Sequence, residues 1–401
     1  MPETKAIKRF QGIINMFKWF SLLSAKQRFE MIAIILIMAI ILGAGIITNL
    51  SNEKTTLARF TTDMCIRDIA PKLKVTGKGL ARELGLSLDV PKRKSLDKFG
   101  ISQEQLDSAV AHILSHHSTS LKYYVFSAIV LFGLAYLSFF GRPDNANISE
   151  RKLWYPRMPY IACLLIAVLI CGFVLGKSPN PMEGTVKVFK SMVGLYPSII
   201  GKLIALIFFV ALAVIGNKLI CGWACPFGAL QELLYSLAIF CKVKRWKAPF
   251  WLTNTIRCGL FCVMLLFLFG IVGGRKGFVI YHYLNPFNLF NLDFDHWLIF
   301  FTVFMSLSPA VFIYRPFCQF ICPFGLVSWV AERFSFYHVT IDKEKCTKCG
   351  ACIKVCPLHA AKGRVESKIF PADCFSCARC LNVCSADAIH YCSIWSKRQK
   401  V

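Results

Sequence analysis

Six apolar stretches run through the chain, each close to the roughly 17–25 residues that a helix takes to cross a hydrocarbon core about 30 Å thick. They cover Met31–Leu50, Tyr123–Phe140, Met158–Gly176, Leu203–Cys221, Cys258–Gly273 and Trp297–Tyr314. An even number of spans puts both termini on one side. Lys5, Lys8, Arg9, Lys18, Lys26 and Arg28 precede the first span, and Lys242, Lys244, Arg245 and Lys247 follow the fourth. By the positive-inside rule these segments are cytoplasmic, although residues 177–202 carry four lysines of their own on the other side.

That topology makes residues 51–122 extracytoplasmic. The segment reads as short helices punctuated by Gly and Pro. The apolar rhythm of residues 66–84 resembles a helix-turn-helix, but a DNA-binding role needs the cytoplasmic side. The reading is therefore a small helical docking module, with no nucleic-acid partner. His112, His116 and His117 close it, and the first two share a helix face at a spacing open to a metal site or to a plain solvated pair. Residues 178–184 lead into 185–195, where Val186, Phe189, Met192 and Val193 recur at near-helical spacing, as in a helix lying in the membrane interface. The aromatic loop 274–296 reads as a partly buried cap, suited to bind a quinone or to seal the bundle.

Composition agrees with the pattern. The 401 residues have positive mean hydropathy and include 35 phenylalanines, the signature of a membrane protein. The polar, basic stretch Met1–Glu30 is too long for a cleavable signal, so Met31–Leu50 is expected to be retained. The net charge of +25 flanks apolar spans and suits anionic lipid headgroups. The lipid bilayer is thus the first partner, and the inner (cytoplasmic) membrane the expected location.

The 19 cysteines are concentrated where their spacing is metal-binding, so they do not point to an oxidising compartment. Cys346, Cys349, Cys352 and Cys356 form C-x2-C-x2-C-x3-C-P, and Cys374, Cys377, Cys380 and Cys384 repeat it with Ser385 in place of the proline. This is the two-cluster bacterial ferredoxin spacing, in which each fourth cysteine ligates the other cluster. One [4Fe–4S] centre is accordingly assigned to Cys346, Cys349, Cys352 and Cys384, and the second to Cys374, Cys377, Cys380 and Cys356. Zinc or a disulfide framework fits two such runs poorly.

A second duplication lies in the membrane part. Cys221-Gly-Trp-Ala-Cys225-Pro-Phe-Gly and Cys318-Gln-Phe-Ile-Cys322-Pro-Phe-Gly each follow an apolar span at its cytoplasmic end. Three readings stay open for these four cysteines: redox-active thiols, a metal site, or structural helix ends. Cys258 and Cys262 share the C-x3-C spacing without the proline and read as buried core residues. Cys65, Cys163, Cys171, Cys241 and Cys392 have no partner spacing. No C-x-x-C-H occurs, and His282 and His296 lie toward the outer edge, so haem is not expected.

Paired C-x3-C-P motifs followed by a C-terminal double-cluster ferredoxin resemble the NapH/NosR group of membrane polyferredoxins, over about residues 158–392. The resemblance implies electron transfer between the quinol pool or a cytoplasmic donor and a further redox subunit, as a quinol dehydrogenase-like oxidoreductase subunit rather than a stand-alone enzyme. Residues 51–122 are too short for the NosR-type flavin domain, and Val75-Thr-Gly-Lys-Gly does not resemble its threonine motif, so FMN is not expected. A relative that assembles cbb3 oxidase keeps open a copper-reducing, metal-handling role for Cys221, Cys225, Cys318 and Cys322. A membrane redox sensor is the third alternative, with residues 51–122 as its reporting module.

The predicted fold is an α-helical membrane protein of about six transmembrane helices with a C-terminal α+β ferredoxin domain. Its segments are a basic tail (1–30), a transmembrane hairpin (31–140) enclosing the module 51–122, a four-helix membrane domain (158–338), the ferredoxin domain (339–392) and a basic tail (393–401).

Overall fold

Apolar runs become helices here, and the residues that end them decide where the chain turns. The computed structural model describes residues 60–73, 77–87, 90–116, 119–140, 158–176, 178–195, 199–236, 245–272, 279–291, 297–368 and 371–394. The predicted span Met31–Leu50, the basic tail 1–30, residues 395–401 of the other tail, Cys241 and the side chains of His112, His116, His117, His282 and His296 lie outside these residues.

Three helices, α1 (Ile66–Lys72), α2 (Gly77–Glu83) and α3 (Gln103–His116), fold residues 60–116 around a small core of their own, with Ile66, Ile69, Leu80, Leu96 and Leu106 fully buried. The bundle follows: α4 (Thr119–Phe140), α5 (Met158–Ile166, continuing as a π-helical stretch to Val174), α6 (Pro181–Met192), α7 (Ile200–Gly216), α8 (Pro226–Ser236), α9 (Phe250–Leu268), α10 (Trp297–Leu307), α11 (Pro316–Phe320) and α12 (Pro323–Ala331).

Among the described residues, Leu121–Ser138 and Phe250–Leu268 are long and apolar enough to cross a membrane. Met158–Val174, Ile200–Gly216 and Trp297–Val311 are apolar but shorter. Phe132, Leu169, Ile207, Trp251, Phe300 and Phe304 stand exposed on these helices. An apolar exterior of this extent is what a lipid-facing surface requires and what a water-facing one avoids.

Helices α4 and α5 run in opposite directions, and α4, α7 and α10 all lead toward the C-terminal domain. Lys122, near the start of α4, donates to the Gly176 carbonyl beyond the far end of α5, at 2.5 Å. At its other end α4 packs against the strand β2 (Ile389–Ser393). The α7 terminus touches the same domain: the Gly216 carbonyl accepts from Tyr391 Oη at 2.9 Å. Tyr314, after α10, meets the Phe375 ring at 6.0 Å.

Two elements differ from the sequence expectation. Helix α6, begun by Asn180 capping the Glu183 amide at 2.8 Å, is not a surface-lying helix: it buries Met182, Val186 and Val188 against α7 and α12. Its lysines stay partly exposed, so the amphipathic pattern was real but its apolar face meets protein. Cys262 is exposed and Cys258 half-buried, on an α9 face turned outward, so they are not core residues. The aromatic cap does pack inward, with Phe287 and Phe290 in the core.

The C-terminal domain is closed by an antiparallel pair, β1 (Tyr337–Ile341) with β2, in register from Tyr337 opposite Ser393 to Ile341 opposite Ile389. Between the strands lie α13 (Ala351–Val355), α14 (Ala360–Val365) and α15 (Arg379–Val383). The internal duplication extends to the backbone. Lys348 and Ser376, each before the second cysteine of its run, have φ of 52° and 49°, while Gly350 and Ala378 after it have 74° and 60°.

Candidate metal centres

Each cysteine run wraps a short loop and then a one-turn helix, so three thiols of a run face one cavity and the fourth is carried away by the helix. One cavity is lined by Cys374, Cys377, Cys380 and Cys356. The other is lined by Cys346, Cys349, Cys352 and Cys384. The electrostatic neighbours follow the same crossing: Cys356, Cys374 and Cys377 act on Cys380, and Cys346, Cys349 and Cys384 act on Cys352. Among the described residues, no three His, Cys, Asp or Glu side chains are grouped tightly enough to hold one metal ion. Four thiols around each of two cavities are a donor set that suits polynuclear thiolate-bound centres.

The two quartets differ in exposure. Cys349 is exposed, and its thiol is held below the ordinary range chiefly by the Ala351 amide, with the Thr347 hydroxyl second. Cys377, by contrast, is half-buried, and burial pushes its thiol up to about 12. The Cys349 quartet is the outer one and the Cys377 quartet the inner one.

The inner loop is seated in the cradle formed by the two C-x3-C-P repeats. Trp223 Nε1 donates to the Ser376 carbonyl at 3.1 Å. Ser376 Oγ donates to the Gly216 and Asn217 carbonyls at 3.1 and 2.9 Å. A methyl group on Gly222 would stand inside the contact radius of the Phe375 carbonyl oxygen, so only glycine permits this approach. Phe375 lies among the cations Lys218 and Arg315, at 5.5 and 5.2 Å from its ring.

Buried charge locks the loop down. Asp373, 1 % exposed, is paired with Lys218 and with Arg257 Nη1 at 3.1 Å. Glu232 holds Arg315 Nε at 3.1 Å and Arg379 Nη2 at 2.5 Å. Burial works against ionisation of Asp373, but Arg257 and Lys218 hold its carboxyl below the usual range. Glu332 goes the other way, raised to about 7 by burial first and by the Asp373 charge, against the pull of Lys218. Ion pairs this deep repay desolvation only when every member is partnered.

The repeats themselves are related by a reciprocal clamp. Lys218 stands three residues before Cys221, and Arg315 three before Cys318. Both occupy the left-handed region, at φ of 61° and 46°, a conformation costing a non-glycine residue about 1–3 kcal/mol. Each reaches into the other repeat. Arg315 donates to the Cys221 carbonyl and to the Gly222 carbonyl at 2.7 Å, while Lys218 donates to the Gly325 carbonyl at 3.1 Å.

The last glycine of each C-P-F-G makes room for this. A Cβ on Gly228 would stand 2.9 Å from Arg315 Nη1 and from the Cys221 oxygen; one on Gly325 would stand 2.9 Å from Arg257 Nη1 and 2.7 Å from the Cys318 oxygen. Cys225 and Cys322 do not continue the preceding helix. Each is extended and hands over to a new helix with proline at its first position, α8 and α12.

Sequence reasoning missed Lys218, Arg257, Glu232, Arg315 and Asp373. A basic residue three positions before each first cysteine, at the end of an apolar span, was the available signal for two of them.

Comparison with known proteins bears on the same segments. A family model described as a 4Fe-4S binding domain matches residues 200–246 and 295–336, and another of that description matches 339–362. MJ0749 of Methanocaldococcus jannaschii, uncharacterized, is 28 % identical over 58 % of this chain and 84 % of its own length. The ferredoxin-type protein NapH of Haemophilus influenzae is 28 % identical over 47 % of this chain, which spans 66 % of that relative. The regulatory protein NosR of Stutzerimonas stutzeri is 29 % identical over 41 % of this chain, which spans 23 % of it. No solved structure matches.

Proposed function

We propose that this chain, a polyferredoxin of the NapH/NosR type, is the membrane-bound iron–sulfur electron-transfer subunit of a quinol-linked respiratory assembly. The observation that carries the reading is the seating of the inner cysteine loop directly on the C-x3-C-P cradle, with the outer quartet left at the opposite, exposed end.

Two [4Fe–4S] clusters are the cofactors this donor arrangement fits. Cys374, Cys377, Cys380 and Cys356 would hold one, and Cys346, Cys349, Cys352 and Cys384 the other. When bound, such a cluster supplies reversible one-electron storage, at a potential set by hydrogen bonds to sulfur and by solvent exposure. The protein's own contribution is positional. Asp373 with Lys218 and Arg257, and Glu232 with Arg315 and Arg379, fix the inner loop against the bundle and keep water from it. The exposed rim at Cys349 leaves the outer quartet open to a soluble donor or acceptor.

The opposed directions of α4 and α5 and the basic segments support a multi-pass protein of the inner membrane, with both termini and the ferredoxin domain cytoplasmic. The bilayer is about 30 Å thick, so an acceptor on the far side requires a mobile quinone or a further redox subunit.

Menaquinol added anaerobically to the full chain in lipid nanodiscs tests the donor. Growth of the reduced-cluster EPR signal is expected. A signal raised by dithionite but untouched by menaquinol would remove the quinol from the account.

A further inference from the structure

Cys221, Cys225, Cys318 and Cys322 are all buried, and none is disulfide-bonded. They converge: in each of the six possible pairings one thiol bears electrostatically on the other. Yet they are not drawn together tightly enough for one ion, the same signature as the two ferredoxin quartets.

Their surroundings are those of ligands. Amides of Phe227 and Gly228 point to the Cys225 sulfur, and amides of Phe324 and Gly325 to the Cys322 sulfur, at the starts of α8 and α12. Gln231 Oε1 meets Cys318 Sγ at 3.5 Å. Helix starts and directed amides favour anionic sulfur. The buried charges beside the repeats, Lys218, Arg257, Arg315 and Arg379 against Glu232, Glu332 and Asp373, leave at least one positive charge in excess. A buried excess cation calls for an anion nearby. The inner ferredoxin cluster would supply one beside Arg379, and a thiolate-ligated cluster at the repeats would supply one beside Lys218 and Arg315.

We propose that Cys221, Cys225, Cys318 and Cys322 together ligate a third iron–sulfur cluster, of the four-iron type, at the ferredoxin end of the bundle. The match of residues 200–246 and 295–336 to a 4Fe-4S binding domain names a chemistry; the reciprocal clamp and the convergent sulfurs name the ligands. The inference rests on reading the chain as an iron–sulfur protein, and it extends the chain of centres from the exposed rim at Cys349 into the membrane domain.

Metal analysis of the anaerobically purified full chain tests it, with iron, copper, zinc and acid-labile sulfide counted per chain. Wild type is expected to hold about twelve iron and twelve sulfide, four for each cubane. The variant Cys225→Ser/Cys322→Ser should lose about a third of both while keeping the ferredoxin EPR signals. In the reciprocal variant Cys349→Ser/Cys377→Ser, about four iron should remain on the membrane domain, which decides the matter even where the first variant does not accumulate. About eight iron in wild type, unchanged by Cys225→Ser/Cys322→Ser, overturns the third cluster and leaves the two-cluster reading standing; the four cysteines are then redox thiols or structure. Stoichiometric copper or zinc that this variant removes overturns it in favour of a single-ion site. Iron unaffected by Cys349→Ser/Cys377→Ser would instead strike the ferredoxin assignment itself.

Discussion

Replacing Gly222 by alanine is the sharpest probe of how the cysteine loop is seated. The added methyl group meets the Phe375 carbonyl oxygen, a backbone atom with no rotamer to turn aside, and must push it back by more than an ångström to reach ordinary contact. A shift of that size lengthens the bonds Trp223 Nε1 to Ser376 O and Ser376 Oγ to Gly216 O, both 3.1 Å, past the hydrogen-bonding limit. It also strains the 2.9 Å bond from Ser376 Oγ to Asn217 O. Three buried bonds at about 0.5–1.5 kcal/mol each give roughly 3 kcal/mol of lost docking free energy. At 1.4 kcal/mol per factor of ten this is on the order of 100-fold in the opening equilibrium. Hydrogen–deuterium exchange of residues 371–380 in nanodiscs reads it directly. Gly259→Ala is the matched control, since nothing lies within 4 Å of a Cβ there. Protection in Gly222→Ala within threefold of wild type would refute the seating argument.

Three further outcomes are expected. Asp373→Asn leaves Lys218 and Arg257 facing an uncharged amide and should lower the denaturation midpoint by the equivalent of about 3–5 kcal/mol, with partial recovery when Lys218→Met is added; an unchanged midpoint would mean the pairs are not formed. His338 is held at about 4, by burial first and by the Arg364 charge, against 6.5 when unfolded. Between those values the unfolded imidazole binds a proton that the folded one refuses. Stability should therefore be full above pH 6.5, fall as the pH drops toward about 4, and level off below it, by about 3 kcal/mol at most; His338→Gln should flatten that slope in pH-dependent melting, and an equal slope in both proteins would remove the assignment. A reporter fused after Val401 should read as cytoplasmic and one inserted near Lys94 as external; a cytoplasmic signal at Lys94 would invert the proposed topology.

Much of the architecture was legible because it is local. Apolar runs gave helices near the described spans, from Tyr123–Phe140 to Trp297–Tyr314, and cysteine spacing alone anticipated the two sets of four that line the two cavities. Proline after the second cysteine of each repeat is the first residue of a new helix, a position that suits its missing N–H.

What stayed hidden is what depends on distant pairs. Asp373 meets Lys218 155 residues away, and Arg379 meets Glu232 across 147. No periodicity carries such a pairing, and a lone charge at the end of an apolar span reads first as a topology signal. Cys258 and Cys262 were misjudged for a related reason. Composition makes a cysteine in an apolar helix a core residue, but the outward face of α9 is apolar too. Helix α6 looked interfacial because its period is amphipathic; whether lipid or protein covers the apolar face is decided by α7 and α12.

The central claim is that electrons pass between the membrane domain and the outer cysteine quartet through the loop seated on the C-x3-C-P cradle. Its most direct test is the rate of cluster reduction by menaquinol, followed by freeze-quench EPR in wild type and Gly222→Ala of equal iron content. The account predicts rapid reduction in wild type and at least about tenfold slower reduction in the variant, the kinetic share of the roughly 100-fold loosening of the loop. Equal rates in two equally loaded proteins would contradict it.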